Sequence, residues 1–283
     1  MKKQQIIVAS FGLIILLVLF FFGQTVPPQK KSSETSTAAS AKTITAQDIL
    51  QASKSKLSPS QLSYVNRLEN SVVRGDVKNQ QIKSYDQLAI FWKDSVREGF
   101  LPYIYYTGES AKLENSEKNL TFAAQLFLEN LRGQDDAGLK SWMANEAKGL
   151  FEKALQINPS NDSSKVGLGA CYIFGSTASN PQEVMQGIQR ILEVARRDTS
   201  NMYAEFMLGL GGLQSGQLDK AVERLTKVVK HQPNNIEAIL TLAQVNEQKG
   251  DKAEAVKWYQ ASKKLIVDPN IITEIDKRIK LLQ

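Results

Sequence analysis

From Ile44 onward, apolar residues recur at three- to four-residue spacing, and polar residues fill the positions between them. This spacing places the apolar side chains on one face of an α-helix, so the pattern predicts a body built from amphipathic helices. The sequence marks where the first two helices begin. Thr45 can cap the first helix, and Ser58-Pro59 places a proline in the first turn of the second. The further helices that the pattern predicts span Gln80–Ser95, Leu101–Leu113, Ser116–Arg132, Ala137–Ile157 and Ile271–Gln283.

The stretch from Met202 to Asn235 has an approximate copy 34 residues later, and this period is typical of stacked helix-turn-helix arrays. The matching pairs are Leu208 with Leu242, Gly209 with Ala243, Gly216 with Gly250, Ala221 with Ala255, and Leu225 with Tyr259. Gly216 and Gly250 fall at the turn inside each helix pair, where the backbone conformation is costly for a residue with a side chain. We expect the small Ala221 and Ala255 to let the paired helices approach closely.

These copies resemble the tetratricopeptide repeat (TPR), which has L-G-x-x-Y in its first helix and A-x-x-x-F with a closing proline in its second. Leu168, Gly169 and Tyr172 match the first-helix pattern, and Ala147 and Phe151 match the second. The resemblance is strong over residues 162–269 and weak before residue 113. It departs from the family because Gly212 and Asn246 stand where the family has tyrosine, and because the early tryptophan is absent from both best copies. The closing proline of the last copy is Pro269, two residues late.

The resemblance implies an all-α fold, a TPR-like α-α superhelical solenoid, preceded here by a single N-terminal transmembrane helix. The predicted segments are 1–5 (cytoplasmic N-terminus), 6–23 (transmembrane signal anchor), 24–43 (disordered tether), 44–116 (N-terminal helices with a degenerate TPR-like pair), 117–161 (divergent TPR), 162–201 (TPR with a turn insertion), 202–235 (TPR), 236–269 (TPR) and 270–283 (capping helix).

The anchor prediction rests on residues 6–23, an uncharged apolar run just long enough to cross a bilayer as a helix. Residues 24–43 are rich in Ser, Thr, Ala and Lys, which is typical of a flexible tether. The run is longer than a usual signal-peptide core, so we expect it to remain uncleaved. Little chain precedes it, and we therefore expect a single-pass inner-membrane protein with its body in the periplasm or another extracytoplasmic space.

Charge and composition narrow the functional classes. The net charge of +6 falls to +2 over residues 43–283, which hold 30 basic and 28 acidic side chains, so nucleic-acid binding is disfavoured. One cysteine, Cys171, and one histidine, His231, supply neither a zinc ligand set nor a catalytic pair, and Cys171 is predicted to be a buried packing residue. We expect no metal, no cofactor and no small-molecule substrate.

Proteins that this chain resembles are binding scaffolds whose first helices line a concave groove. The candidate partner-binding residues that follow are Tyr203, Phe206, Leu210, Leu213, Leu240, Gln244 and Glu247, and further groove-facing candidates are Val166, Ala170, Ile173 and Glu237. The apolar set in 203–213 suits a hydrophobic side chain or a partner helix. In the alternative interpretation, several of these residues pack between neighbouring first helices.

The leading hypothesis is therefore a membrane-tethered scaffold or adaptor that binds a protein or peptide in its groove on the extracytoplasmic side. The first alternative is a structural subunit of an envelope biogenesis or secretion assembly. The second alternative is an enzyme with a site in a loop, for which the acidic candidates are Asp135, Asp136 and Glu98, the last followed by Tyr103 and Tyr105. No nucleophile, base and orienting group occur together, so the sequence favours a non-enzymatic protein.

Overall fold

The computed structural model describes residues 44–74, 77–175 and 180–283, which contain thirteen α-helices and no strand. The helices are α1 (Ala46–Lys54), α2 (Pro59–Arg74), α3 (Lys78–Ser95), α4 (Phe100–Glu114), α5 (Glu117–Leu131), α6 (Ala137–Ile157), α7 (Asp162–Gly175), α8 (Pro181–Arg197), α9 (Met202–Gln214), α10 (Leu218–His231), α11 (Ile236–Lys249), α12 (Lys252–Lys263) and α13 (Pro269–Leu282). The all-helical fold that the periodicity predicts is confirmed.

Local capping explains where several helices begin. The Oγ of Thr45 accepts from the amide of Asp48 at 3.2 Å, and the Asp48 carboxylate accepts from the amide of Thr45 at 2.9 Å, so a capping box opens α1 as predicted. Helix α2 begins at Pro59, directly after Ser58, which confirms the second start signal. The side-chain oxygens of Asn201 and Asn235 cap α9 and α11 by accepting from the amides of Ala204 and Ala238, each at 3.0 Å.

The turn glycines adopt the backbone conformation that the repeat requires. Gly216 has a φ of 74° and Gly250 a φ of 87°, both in the left-handed region that favours glycine. One boundary differs from the prediction, because Pro269 does not close the last repeat but is the first residue of α13. Proline suits that position, where its missing N–H costs nothing, and Asp268 caps the helix in front of it.

Successive helices pack as pairs, and the described residues contain five of them: α3 with α4, α5 with α6, α7 with α8, α9 with α10 and α11 with α12. The first helices α5, α7, α9 and α11 also lie beside one another in that order, and α13 packs against α12. Phe151, Leu168, Ala221 and Leu225 are buried in the main hydrophobic core. The prediction that Ala221 lets its paired helices approach closely is confirmed. A Cβ added at Gly212 of α9 would lie only 3.1 Å from the Ala221 Cβ of α10.

The predicted membrane span 6–23 and the predicted tether 24–43 lie outside the residues that the structure describes. Within the described ranges, no helix combines the length and the apolar character needed to cross a bilayer.

Candidate functional site

A concave pocket of about 330 Å³ lies where α5, α9 and the start of α11 converge. We call it the groove pocket, and its lining residues are Gln125, Leu128, Glu129, Arg132, Tyr203, Phe206, Met207, Asn235 and Glu237. These helices are first helices of their pairs, so the pocket occupies the surface that the sequence predicts as the groove. Its volume is at the lower end of the range for ligand-binding cavities.

Arg132 connects the two ends of the groove pocket. Its Nη1 lies 2.8 Å from the Oε1 of Glu237, so an ion pair joins the end of α5 to the start of α11. Its guanidinium carbon lies 6.0 Å from the centroid of the Phe206 ring, within the range of a cation–π contact. The side chain is only 18% exposed, and its buried Nε has no hydrogen-bond partner among the described residues. The pocket therefore offers a buried donor beside an apolar ring.

The local sequence accounts for this placement. Tyr203 and Phe206 are three residues apart on α9 and project from the same side of the helix. Burial raises the pKa of the Tyr203 hydroxyl above its usual value, so this side chain stays neutral and can donate a hydrogen bond. Arg132 was not among the predicted residues, because a cation at the end of a helix is also what the helix dipole favours.

The structure brings only two of the seven predicted partner-binding residues into this pocket, Tyr203 and Phe206. Tyr203 is half-buried, whereas Phe206 is only 6% exposed and lies deep in the pocket, so the ring contributes to packing as well as to the surface. Leu210 and Leu213 are half-buried and pack against the main hydrophobic core. The positions of Leu210 and Leu213 fit packing between neighbouring first helices better than they fit partner binding in the groove.

The three predicted residues of α11 lie apart from the groove pocket. Leu240 packs against the C-terminal cluster that α11, α12 and α13 form. Glu247 accepts hydrogen bonds from the Tyr259 hydroxyl at 2.8 Å and from the Arg278 Nε at 2.9 Å, so it ties α11 to α12 and α13. Gln244 is exposed. The role of all seven residues in partner binding stays a prediction.

The prediction that three residues of α7 face the groove is wrong. Val166 and Ala170 are completely buried and Ile173 is 2% exposed, and none of the three lines the groove pocket. Glycines at positions 167, 169 and 175 let neighbouring elements approach α7 closely; a Cβ at position 167 would lie only 2.2 Å from the Phe151 ring. The surrounding helices therefore cover the face that the repeat pattern assigns to the groove.

The acidic residues considered for an enzyme have local structural roles. Asp136 caps α6 by accepting from the amide of Leu139 at 2.8 Å, and Asp135 beside it is exposed. Glu98 pairs with Lys56 at 2.6 Å on the surface, and that hydrogen bond lowers the pKa of the Glu98 carboxyl. Within the described ranges, no three His, Cys, Asp or Glu side chains cluster closely enough to hold a metal ion.

The helix pairs and the concave surface define an α-helical repeat protein of the solenoid class. Residues 212–270 match the family described as "Tetratricopeptide repeat", so this part of the chain is similar to that family. This match covers all of α10, α11 and α12 with the turns between them, and it also includes the last residues of α9 and the first residues of α13.

Among curated proteins, the chain is similar to "Cellulose synthase 1 operon protein C" of Komagataeibacter xylinus, with 26% identity over 155 residues. The alignment covers 52% of this chain but only 12% of that much longer protein.

Among solved structures, MamA from Desulfovibrio magneticus RS-1 is 21% identical, with a TM-score of 0.42, 68% of this chain covered and 96% of that one. YrrB, described as a TPR protein with an unusual peptide-binding site, is 16% identical, with a TM-score of 0.40, 74% of this chain covered and 97% of that one.

Proposed function

We propose that this protein is a scaffold that holds a protein or peptide partner in the groove pocket. The observation that carries the proposal is the buried Arg132 Nε, which has no acceptor among the described residues and lies in a pocket with Phe206 and Tyr203. A buried donor without a partner is uncommon and costs free energy, and an acceptor on a bound segment would remove that cost. A segment that places an apolar side chain against Phe206 and a carbonyl or carboxylate oxygen near Arg132 fits the pocket.

The proposal includes a membrane tether. The uncharged run 6–23 is the proposed anchor, residues 24–43 are the proposed spacer, and the helical body is proposed to lie on the extracytoplasmic side. Such a tether would keep the groove close to the bilayer and raise the effective concentration of any partner that is also membrane-bound.

The groove proposal is tested by photo-crosslinking in native membranes. Tyr203 is replaced by benzoylphenylalanine, which keeps an aromatic ring at the half-buried edge of the pocket. The control probe replaces the exposed Glu223 of α10, which does not line the groove pocket. We expect a discrete adduct from position 203 alone, and a weaker one when Arg132→Gln is added. Equal adducts from both probes, or none from position 203, would refute the groove proposal.

The membrane part is tested separately, so that either part can fail alone. Protease added to intact spheroplasts is expected to digest the helical body, and carbonate extraction is expected to leave the chain in the membrane fraction. A body that stays intact until the cells are lysed would overturn the proposed orientation. Release of the full-length chain by carbonate would overturn the anchor and leave the groove proposal standing.

A further inference from the structure

A second cavity, of about 270 Å³, lies between α8 and α10 and is also lined by the C-terminal half of α9. We call it the α8–α10 cleft. Its apolar lining includes Ile188 and Leu192 from α8 and Leu208 from α9, all of them half-buried rather than covered. None of its lining residues belongs to the groove pocket.

The glycines of α9 explain why this space is open. Gly211 and Gly212 line the cleft, and 34 residues later the corresponding positions hold Val245 and Asn246, whose side chains are buried. A Cβ at Gly211 would meet only Ile173, at 3.5 Å or more, which is ordinary van der Waals contact. The missing side chain at position 211 therefore leaves room that a partner's side chain can use.

The rim of the cleft carries only positive charge. Arg196, Lys220 and Arg224 line it, and no acidic residue does. Arg196 and Lys220 are exposed, and Lys220 donates to the neutral side chain of Gln217 at 2.8 Å. Of these three cations, only Arg224 forms an ion pair within the part of the chain that the structure describes, since its Nη1 lies 2.6 Å from Glu205 of α9. The uncompensated charge of Arg196 and Lys220 therefore favours an anionic ligand.

We propose that the α8–α10 cleft binds an acidic segment of a partner protein in which a large apolar side chain stands next to a carboxylate. The apolar side chain fills the space beside Gly211, and the carboxylate pairs with Arg196 and Lys220. The volume suits one or two side chains and is small for a whole cofactor or drug-sized molecule. This site is independent of the groove pocket, so the failure of one proposal leaves the other unaffected.

The test uses the full-length chain in detergent and a pool of fluorescent peptides in which glutamate alternates with leucine, phenylalanine or tryptophan. A matched pool has glutamine in place of glutamate. The blocking variant is Gly211→Val, and the charge variant combines Arg196→Gln with Lys220→Gln. The control variants are Gly149→Ala, at a helical glycine with nothing within 4 Å of an added Cβ, and Lys153→Gln, at an exposed lysine of α6.

We expect saturable anisotropy changes with the glutamate pool, weakened by added salt and at least about tenfold weaker for the charge variant. Gly211→Val should abolish binding while the far-UV spectrum stays unchanged, and the two control variants should bind like the wild type. Absence of saturable binding to the glutamate pool would overturn the proposal. So would equal binding of the glutamine pool, or binding that neither the charge variant nor Gly211→Val weakens.

Discussion

Replacement of Glu205 by glutamine tests how strongly one buried charge holds the α9–α10 pair together. Glu205 is 1% exposed, and its two carboxylate oxygens accept from Lys227 Nζ and Arg224 Nη1, both at 2.6 Å. Burial opposes ionisation, but the hydrogen bonds from Lys227 and Arg224 outweigh it, so the pKa of Glu205 lies below its usual value. Glutamine has nearly the same shape, so the substitution removes charge without opening a cavity.

The expected cost follows from the two contacts. Hydrogen bonds to charged groups contribute roughly 1.5–3 kcal/mol each, and the amide NH₂ of glutamine would point a donor at a cation. The cations are 32% and 34% exposed, so water replaces part of what they lose. We therefore expect the free energy of unfolding to fall by about 2–3 kcal/mol, which lowers the melting temperature by about 5–10 °C.

Urea titrations followed by circular dichroism, at neutral pH and in steps of falling pH, measure this difference. Because the folded pKa of Glu205 is depressed, its charge stabilises the fold fully above the usual value of 4.5. That contribution is lost as the pH falls through the lower, folded value. The difference between wild type and Glu205→Gln should therefore be largest at neutral pH and should shrink in acid.

The control is Glu274→Gln, at an exposed carboxylate that pairs with Lys277 at 3.3 Å on α13. Removal of this surface pair should change stability by no more than the error of the measurement. If both variants unfold at the same urea concentration as the wild type, the buried cluster contributes nothing and our reasoning is refuted. A difference that persists unchanged in acid would show that the charge of Glu205 is not its source.

Two further predictions concern the packing of α7. Gly167→Ala should lower the free energy of unfolding by about 1–3 kcal/mol in urea titrations, because its Cβ would meet the buried Phe151 ring at 2.2 Å. The control variant Gly149→Ala should be neutral or stabilising, because nothing lies within 4 Å of its added Cβ. Equal stability of the two variants would contradict this prediction. Cys171 is only 1% exposed, and burial raises the pKa of its thiol. A thiol reagent at neutral pH should therefore label Cys171 no faster than the protein unfolds locally around it. Rapid labelling of the folded protein would contradict the buried position of Cys171.

The sequence by itself determined the secondary structure and the repeat. Apolar residues at helical spacing predict the helices because burial of one face is what stabilises a helix in a small protein. The cap of Thr45 and the left-handed turns at Gly216 and Gly250 were predictable because they depend only on the chemistry of nearby residues. The burial of Ala221 was predictable from the period, and Ala255, 34 residues later, is also completely buried.

Only the tertiary structure decided which surfaces stay open. The repeat pattern predicts Val166 on the groove side, but the residue is completely buried in the packed core. Arg132 reaches Glu237 across more than a hundred residues of chain, and no local signal connects the two. Nor does any local signal mark the cleft beside Gly211, which exists because that glycine, α8 and α10 meet in space. Helix formation depends on neighbours in sequence, whereas these pockets and the Arg132–Glu237 ion pair depend on how helices that are distant in sequence pack against one another.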